Sequence, residues 1–194
     1  MMNGLGGRII KINLIGILIV MIFLLCIPVM AQSEMKGKVT LFTDLKNNSP
    51  EVRLRAVEGL QKLNDTGVID SLIIALDDKN SSVRSKAAFV LGKYNSTRPI
   101  GPLISALRDN NVEVRISAAM ALTKIGIPAV ISLTQALKSD NTNLRVNAAR
   151  VLGRIEDRRA INQLTQALND NSTEVQLSAA YALRKIEWKS HGTS

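Results

Sequence analysis

Asp109–Ile125 reads DNNVEVRISAAMALTKI, and the rest of the chain is built on that stretch. It returns as Asp78–Tyr94 (DKNSSVRSKAAFVLGKY), Asp140–Ile155 (DNTNLRVNAARVLGRI) and Asp170–Ile186 (DNSTEVQLSAAYALRKI). A divergent first copy runs over Asn47–Leu63 (NNSPEVRLRAVEGLQKL). Equivalent positions hold Arg53, Arg84, Arg115, Arg145 and Gln176, at steps of 31, 31, 30 and 31 residues. A fixed period of this size marks a repeat array, whose units bury their apolar faces only by stacking on one another.

Each repeat reads as two helices. The first is short and apolar: Leu72–Leu76, Leu103–Leu107, Leu133–Leu137 and Leu164–Leu168. A turn rich in Asp, Asn and Ser follows, residue types whose side chains bond nearby backbone and cap helix starts. Ser49-Pro50 is the clearest start signal, with Pro at the first helical position. In the second helix of the second repeat, Val83, Ala87, Leu91 and Tyr94 recur at 3.6-residue spacing and define one apolar face. Pro99, Pro102 and Pro128 in the connectors stop one helix and start another. The shortened step falls in the connector 126–132, where a loop tolerates a deletion. The end repeats look like caps: Ala56-Val57 replaces the Ala-Ala pair, Gly59 sits mid-helix, Gln176 replaces Arg, and Trp188 closes the open end.

Composition agrees. Aromatic residues make up 3% of the 194, so the core must be Ala, Leu, Ile and Val, small side chains that suit thin stacked layers. The net charge of +9 favours acidic partners: anionic lipid, acidic polysaccharide, acidic protein or nucleic acid. The single cysteine, Cys26, excludes a disulfide framework, and the single histidine, His191, lies in a polar tail.

Residues 1–31 read as an export segment. Arg8 and Lys11 form a positive start, Ile12–Ile27 is almost wholly apolar, and Val29-Met30-Ala31 resembles a cleavage site after Ala31. Two fates fit: a cleaved signal peptide, or an uncleaved anchor, since Ile12–Met30 is about the roughly 20 residues needed to span a bilayer. Charge favours a cytoplasmic N-terminus with the repeats outside, which conflicts with nucleic acid as a partner. Residues 32–40 read as a linker, 41–188 as five repeats and 189–194 as a polar tail.

The pattern L-x-x-A-L-x-D-x-x-x-x-V-R-x-x-A-A-x-x-L-G-x-[IY] resembles the HEAT-like repeat of the phycobilisome-lyase (PBS lyase) type. Leu72–Tyr94 and Leu103–Ile125 match it, and Leu133–Ile155 matches with a one-residue offset before the Asp. The resemblance implies an all-α fold: a right-handed α-solenoid (armadillo-like α-α superhelix) of five HEAT-like helical hairpins, preceded by the N-terminal hydrophobic helix. It also implies that the second helices line the inner surface. The family includes chromophore lyase subunits, scaffolds and deoxyhypusine hydroxylase, so a lyase-like or hydroxylase-like accessory enzyme is the alternative to a scaffold. The hydroxylase carries His-Glu pairs that hold iron. This array contains neither a His-Glu pair nor any histidine, which disfavours that chemistry.

Three columns carry the remaining signal. Arg53, Arg84, Arg115 and Arg145 read as a structural ladder against Asp78, Asp109, Asp140 and Asp170, with an anion-binding ladder as the alternative. Lys62, Lys93, Lys124, Arg154 and Lys185 stand at helix ends, where they offset the macrodipole. The outward triplets are Arg55-Glu58-Lys62, Lys86-Phe89-Lys93, Ser117-Met120-Lys124, Asn147-Arg150-Arg154 and Ser178-Tyr181-Lys185. These fifteen positions hold eight cations and one anion, and the middle column changes type in every repeat. A column free to vary is free to be specific. At roughly 8–10 Å per helix, the strip is on the order of 40 Å long. The expected partner-binding residues are Arg55, Lys86, Phe89, Lys93, Met120, Lys124, Arg150, Arg154, Tyr181 and Lys185, with an acidic protein or polymer as partner. A merely solvated face is the competing reading.

Asn47, Asn64, Asn80, Asn95 and Asn171 begin N-x-[ST] sequons in expected turns and are candidate glycosylation sites in a host that glycosylates exported proteins. The capping chemistry of turns accounts for the same residues. No Ser-His-Asp group, glycine-rich phosphate loop or HExxH occurs. The sequence therefore points to a non-catalytic scaffold, exported or held at the outer face of a membrane, without cofactor or metal.

Overall fold

The computed structural model describes residues 36–63 and 65–191, the last four without their side chains. The leader, its cleavage point and the Trp188 side chain lie outside the described residues. The chain divides into two compact units, Met1–Thr40 and Leu41–Ser194. In the first, residues 36–40 are helical, with the Thr40 hydroxyl donating to the Lys36 carbonyl at 3.0 Å. In the second unit the opening helical run, residues 41–44, is α1.

The second unit is an all-α solenoid of five helical hairpins. After α1 come α2 (Pro50–Lys62), α3 (Ile69–Ala75), α4 (Ser81–Leu91), α5 (Ile100–Ala106), α6 (Val112–Ile125), α7 (Val130–Ala136), α8 (Thr142–Ile155), α9 (Ile161–Ala167) and α10 (Thr173–His191). The odd-numbered helices are the short first helices, and the even-numbered ones carry the quoted motif. There is no strand among the described residues.

Local chemistry sets the boundaries. Ser49, Asn80, Asn111 and Asn141 cap α2, α4, α6 and α8, each accepting from a backbone N–H in the first turn. Pro50 opens α2, Pro99 caps α5, and Pro128 lies in a 3-10 turn, Ile127–Ala129, that feeds α7. The connector shortened by one residue turns at Gly126, whose φ of 72° suits glycine. α8 ends on Glu156 in the left-handed region, with φ 57° and ψ 40°.

The core is one ribbon of small aliphatics running through all five hairpins. Leu60, Leu72, Leu91, Leu103, Leu122, Leu133, Leu152, Leu164 and Ile186 are fully buried, interleaved with Ala87, Ala88, Ala118, Ala148, Ala149 and Ala179. Each such leucine contributes about 1.5–3 kcal/mol. The Tyr94 phenol donates to the Leu60 carbonyl of the preceding repeat at 3.3 Å, and burial pushes its pKa up. In the first repeat Ala56 and Val57 are both buried, so the altered pair still packs. Gly59 admits α1: a Cβ there would lie 2.4 Å from Leu41 Cδ2.

Candidate partner-binding strip

The Arg column is a ladder between neighbouring repeats. Arg53 grips Asp78 through Nε and Nη2 at 2.6 and 2.7 Å. Arg84 grips Asp109 at 2.7 and 2.9 Å, and Arg145 grips Asp170 at 2.8 and 2.9 Å. The third donor, Nη1, caps two carbonyls of the turn before its own helix, for Arg84 those of Asp78 and Lys79. The carboxylate also accepts the backbone N–H two residues on, as Asp109 does from Asn111 at 2.8 Å. One Asp thus closes its turn and ties it to the previous repeat. Arg84 holds the Asp109 carboxyl below the usual range against an opposing push from burial, and Arg145 does the same for Asp170. At Asp78 burial pushes upward, and the bonds from Arg53 and the Asn80 N–H outweigh it.

The fourth expected rung does not form. The shortened connector and the offset in the fourth repeat put Ser139 where the second, third and fifth repeats have Asp, and its hydroxyl accepts from the Asn141 N–H at 3.2 Å. Asp140 is exposed one position further on, so it does not belong to the ladder. Among the described residues Arg115 keeps only its carbonyl bonds, to Asp109 at 2.7 Å and Asn110 at 3.0 Å. Gln176 likewise bonds the Asp170 carbonyl at 2.7 Å.

Most of the outward triplets face solvent, on the side of the even-numbered helices away from the core. Arg55, Lys62, Lys93, Lys124, Arg150, Arg154 and Lys185 are exposed, as are Phe89 at 39%, Met120 at 50% and Tyr181 at 46%. The triplet's first position turns toward the preceding repeat. Ser117 bonds the Ser85 hydroxyl at 2.9 Å, Asn147 donates to the Leu107 carbonyl at 2.8 Å, Ser178 is buried, and half-buried Lys86 pairs with Glu58 at 3.2 Å. Only Arg55 of that column is exposed, so the open strip is narrower than the triplets suggest.

Cations and rings are interleaved on it. Lys93 Nζ stands 4.9 Å from the Phe89 ring centroid, with Arg184 and Lys185 at 5.4 and 5.9 Å from that of Tyr181. Arg150 pairs with Glu174 at 3.1 Å, an exposed pair worth about 0–1 kcal/mol. Two grooves open among the strip residues. One, of about 420 Å³, is lined by Leu54, Glu58, Ser85, Lys86, Phe89 and Ser117. The other, of about 520 Å³, is lined by Arg150, Arg154, Glu174, Leu177, Tyr181 and Lys185.

Sequence reasoning missed Ile116 and Leu177, which are 46% and 67% exposed on the same face. They follow the Arg column directly, where the other repeats have Leu54, Ser85 and Val146. Their spacing, four residues before Met120 and Tyr181, was the available signal. The sequon residues Asn47, Asn80, Asn95 and Asn171 lie in turns; Asn80 caps α4, Asn171 accepts from Arg145 at 2.9 Å, and Asn64 lies outside the described residues. Among the described residues no three His, Cys, Asp or Glu side chains gather as a metal site would require.

The family model for HEAT repeats matches residues 69–133 and 130–192. No curated protein matches the chain. An engineered protein from a structural genomics consortium shares 23% identity over 82% of this chain and 83% of its own, with TM-score 0.50. A chain of the phycocyanin lyase CpcE–CpcF complex from Nostoc sp. PCC7120 shares 24% over 78% of this chain and 65% of its own, with TM-score 0.51. A chain of the Kap95p–RanGDP structure shares 16% over 77% of this chain and 25% of its own, with TM-score 0.59. At these identities the similarities establish the fold.

Proposed function

The chain belongs to the HEAT-repeat family, and from that premise we propose that it is a non-catalytic scaffold whose strip holds an acidic protein partner. One observation carries the reading: exposed apolar side chains alternate with cations that have no ion-pair partner among the described residues. The apolar set is Phe89, Ile116, Met120, Leu177 and Tyr181; the cations are Arg55, Lys93, Lys124, Arg154 and Lys185. Apolar anchors supply affinity, and the surrounding charge steers and orients. Kap95p binding RanGDP is one protein-binding use of the fold. Export, with the array secreted or held outside by residues 1–31, is supported by the leader's charge and apolar run.

The test is binding of a fluorescent poly-glutamate peptide to the full chain. Affinity should fall steeply as NaCl rises from about 0.05 to about 0.5 M, where screening tightens. Reversing Lys93, Lys124 and Arg154 to Glu together should weaken it by about tenfold or more. Salt-independent binding, or a triple variant that binds as well as the parent, rejects the strip. Stoichiometric iron or chromophore on the purified protein would overturn the non-catalytic reading.

A further inference from the structure

We propose that Arg115 is a docking point for a carboxylate, an Asp or Glu side chain of the acidic partner, which completes the rung that the chain leaves open. The proposal rests on the acidic-partner reading above and adds the place where one acidic residue is read.

The other repeats supply the template. In the three that carry an arginine, two turn carbonyls anchor Nη1: those of Asn47 and Asn48 for Arg53, of Asp78 and Lys79 for Arg84, and of Ser139 and Asp140 for Arg145. That anchorage fixes the guanidinium plane and presents the Nε/Nη2 edge to the next repeat, where a carboxylate meets both donors at 2.6–2.9 Å. Arg115 has the same anchorage at 2.7 and 3.0 Å. Its fork is therefore held ready, and neither fork donor has a hydrogen-bond acceptor among the described residues.

The gap follows from the sequence. Ser139 stands in the Asp position with a side chain too short to reach across, and its hydroxyl is engaged by Asn141. A planar carboxylate matches a two-donor fork better than a single-point acceptor does. The half-buried setting strengthens such a bond relative to open water. Arg115 directly precedes Ile116, so a ligand lying along the strip passes beside it. Asp140, next to the gap, is the internal competitor: a rotated Asp140 would close the rung from within.

Side-chain NMR of the full chain separates these cases, following the Nε–H signals of the four column arginines while formate is added, with chloride as control. Formate should shift Arg115 and leave Arg53, Arg84 and Arg145 in place. Ser139→Asp should move the Arg115 signal without added formate and abolish the response. An Arg115 signal that ignores formate overturns the proposal, as does an Asp140→Asn variant that alone shifts that signal in formate-free buffer. In the poly-glutamate assay Ser139→Asp should weaken binding about fivefold, and Gln135→Asp, which adds the same charge on the exposed face of α7, by less than twofold. Equal losses in these two variants reject Arg115 while leaving the strip intact. Absence of binding by the parent chain rejects the strip, and the formate titration still decides the fork.

Discussion

The junction between α4 and α6 and the junction between α6 and α8 are made from the same motif and closed differently. At the first, Arg84 and Asp109 lock the turns together, and Gly92 lets the helices touch: a Cβ there would lie 2.7 Å from Ala121 Cα. At the second, Arg115 has no carboxylate and Thr123 occupies the glycine position. The first junction then recurs between α8 and α10, with Arg145–Asp170 and with Gly153 against Ala182. The even-numbered helices pack more closely at α4/α6 and α8/α10, where a glycine meets the next helix, than at α2/α4, which has a closed rung but Gln61 in place of glycine, or at α6/α8, which has neither. A repeat array is held by its neighbour interfaces, so the interface that lacks both devices is the natural place for it to flex or open.

The largest expected effect breaks a closed rung. Arg145→Ala removes a guanidinium with 9% side-chain exposure and leaves Asp170 and two turn carbonyls without their donor. It should cost about 3 kcal/mol in urea unfolding, since a carboxylate only 12% exposed loses its charged partner. Arg115→Ala removes carbonyl bonds only and should cost about 1 kcal/mol. Equal losses at the two sites would erase the distinction between closed and open rungs.

The next effect tests the close approach. Gly153→Ala places a methyl 2.8 Å from the Ala182 Cα, a backbone atom that cannot swing aside, and should cost about 1–3 kcal/mol by overpacking. Gly101→Ala meets open space on α5 and should be neutral or gain up to about 1 kcal/mol from helix propensity. A harmless Gly153→Ala would mean that α8 and α10 are not pinned together there.

The hairpins, their caps and the apolar ribbon were legible in the sequence because each repeats one local rule: an Asn or Ser cap, a 3.6-residue apolar face, a buried first Ala of the pair. What was not legible depends on register between repeats. Asp140 looked like a ladder member because it opens the same motif, yet a deletion in one place and an offset in another put Ser139 opposite Arg115. The strip suffered similarly. Ile116 and Val146 occupy equivalent positions, yet one is 46% exposed and the other 2%, because exposure there is set by the neighbouring repeat. The inward turn of Ser117, Asn147 and Ser178 has the same origin, since one helical wheel does not show the next helix.

Ser139→Asp converts the open junction into the closed type and is the smallest and most diagnostic change. Asp77-Asp78 shows that adjacent acids fit such a turn. The new carboxylate should close on Arg115, accept from the Asn141 N–H as Asp109 does from Asn111, and stabilise the array by about 1 kcal/mol at neutral pH. The gain should depend on pH with a definite sign. Carboxylates already in rungs, Asp78, Asp109 and Asp170, sit below the usual range, so their stabilisation is present above the unfolded value of about 4 and is lost as pH falls through the lower folded values. A fourth rung obeys the same linkage. The difference in unfolding free energy between Ser139→Asp and the parent should hold steady from pH 7 to about pH 5 and vanish as pH falls below about 4. A difference that persists in acid would come from helix capping by any polar side chain, and the resemblance between position 139 and the other rungs would then be one of sequence position alone.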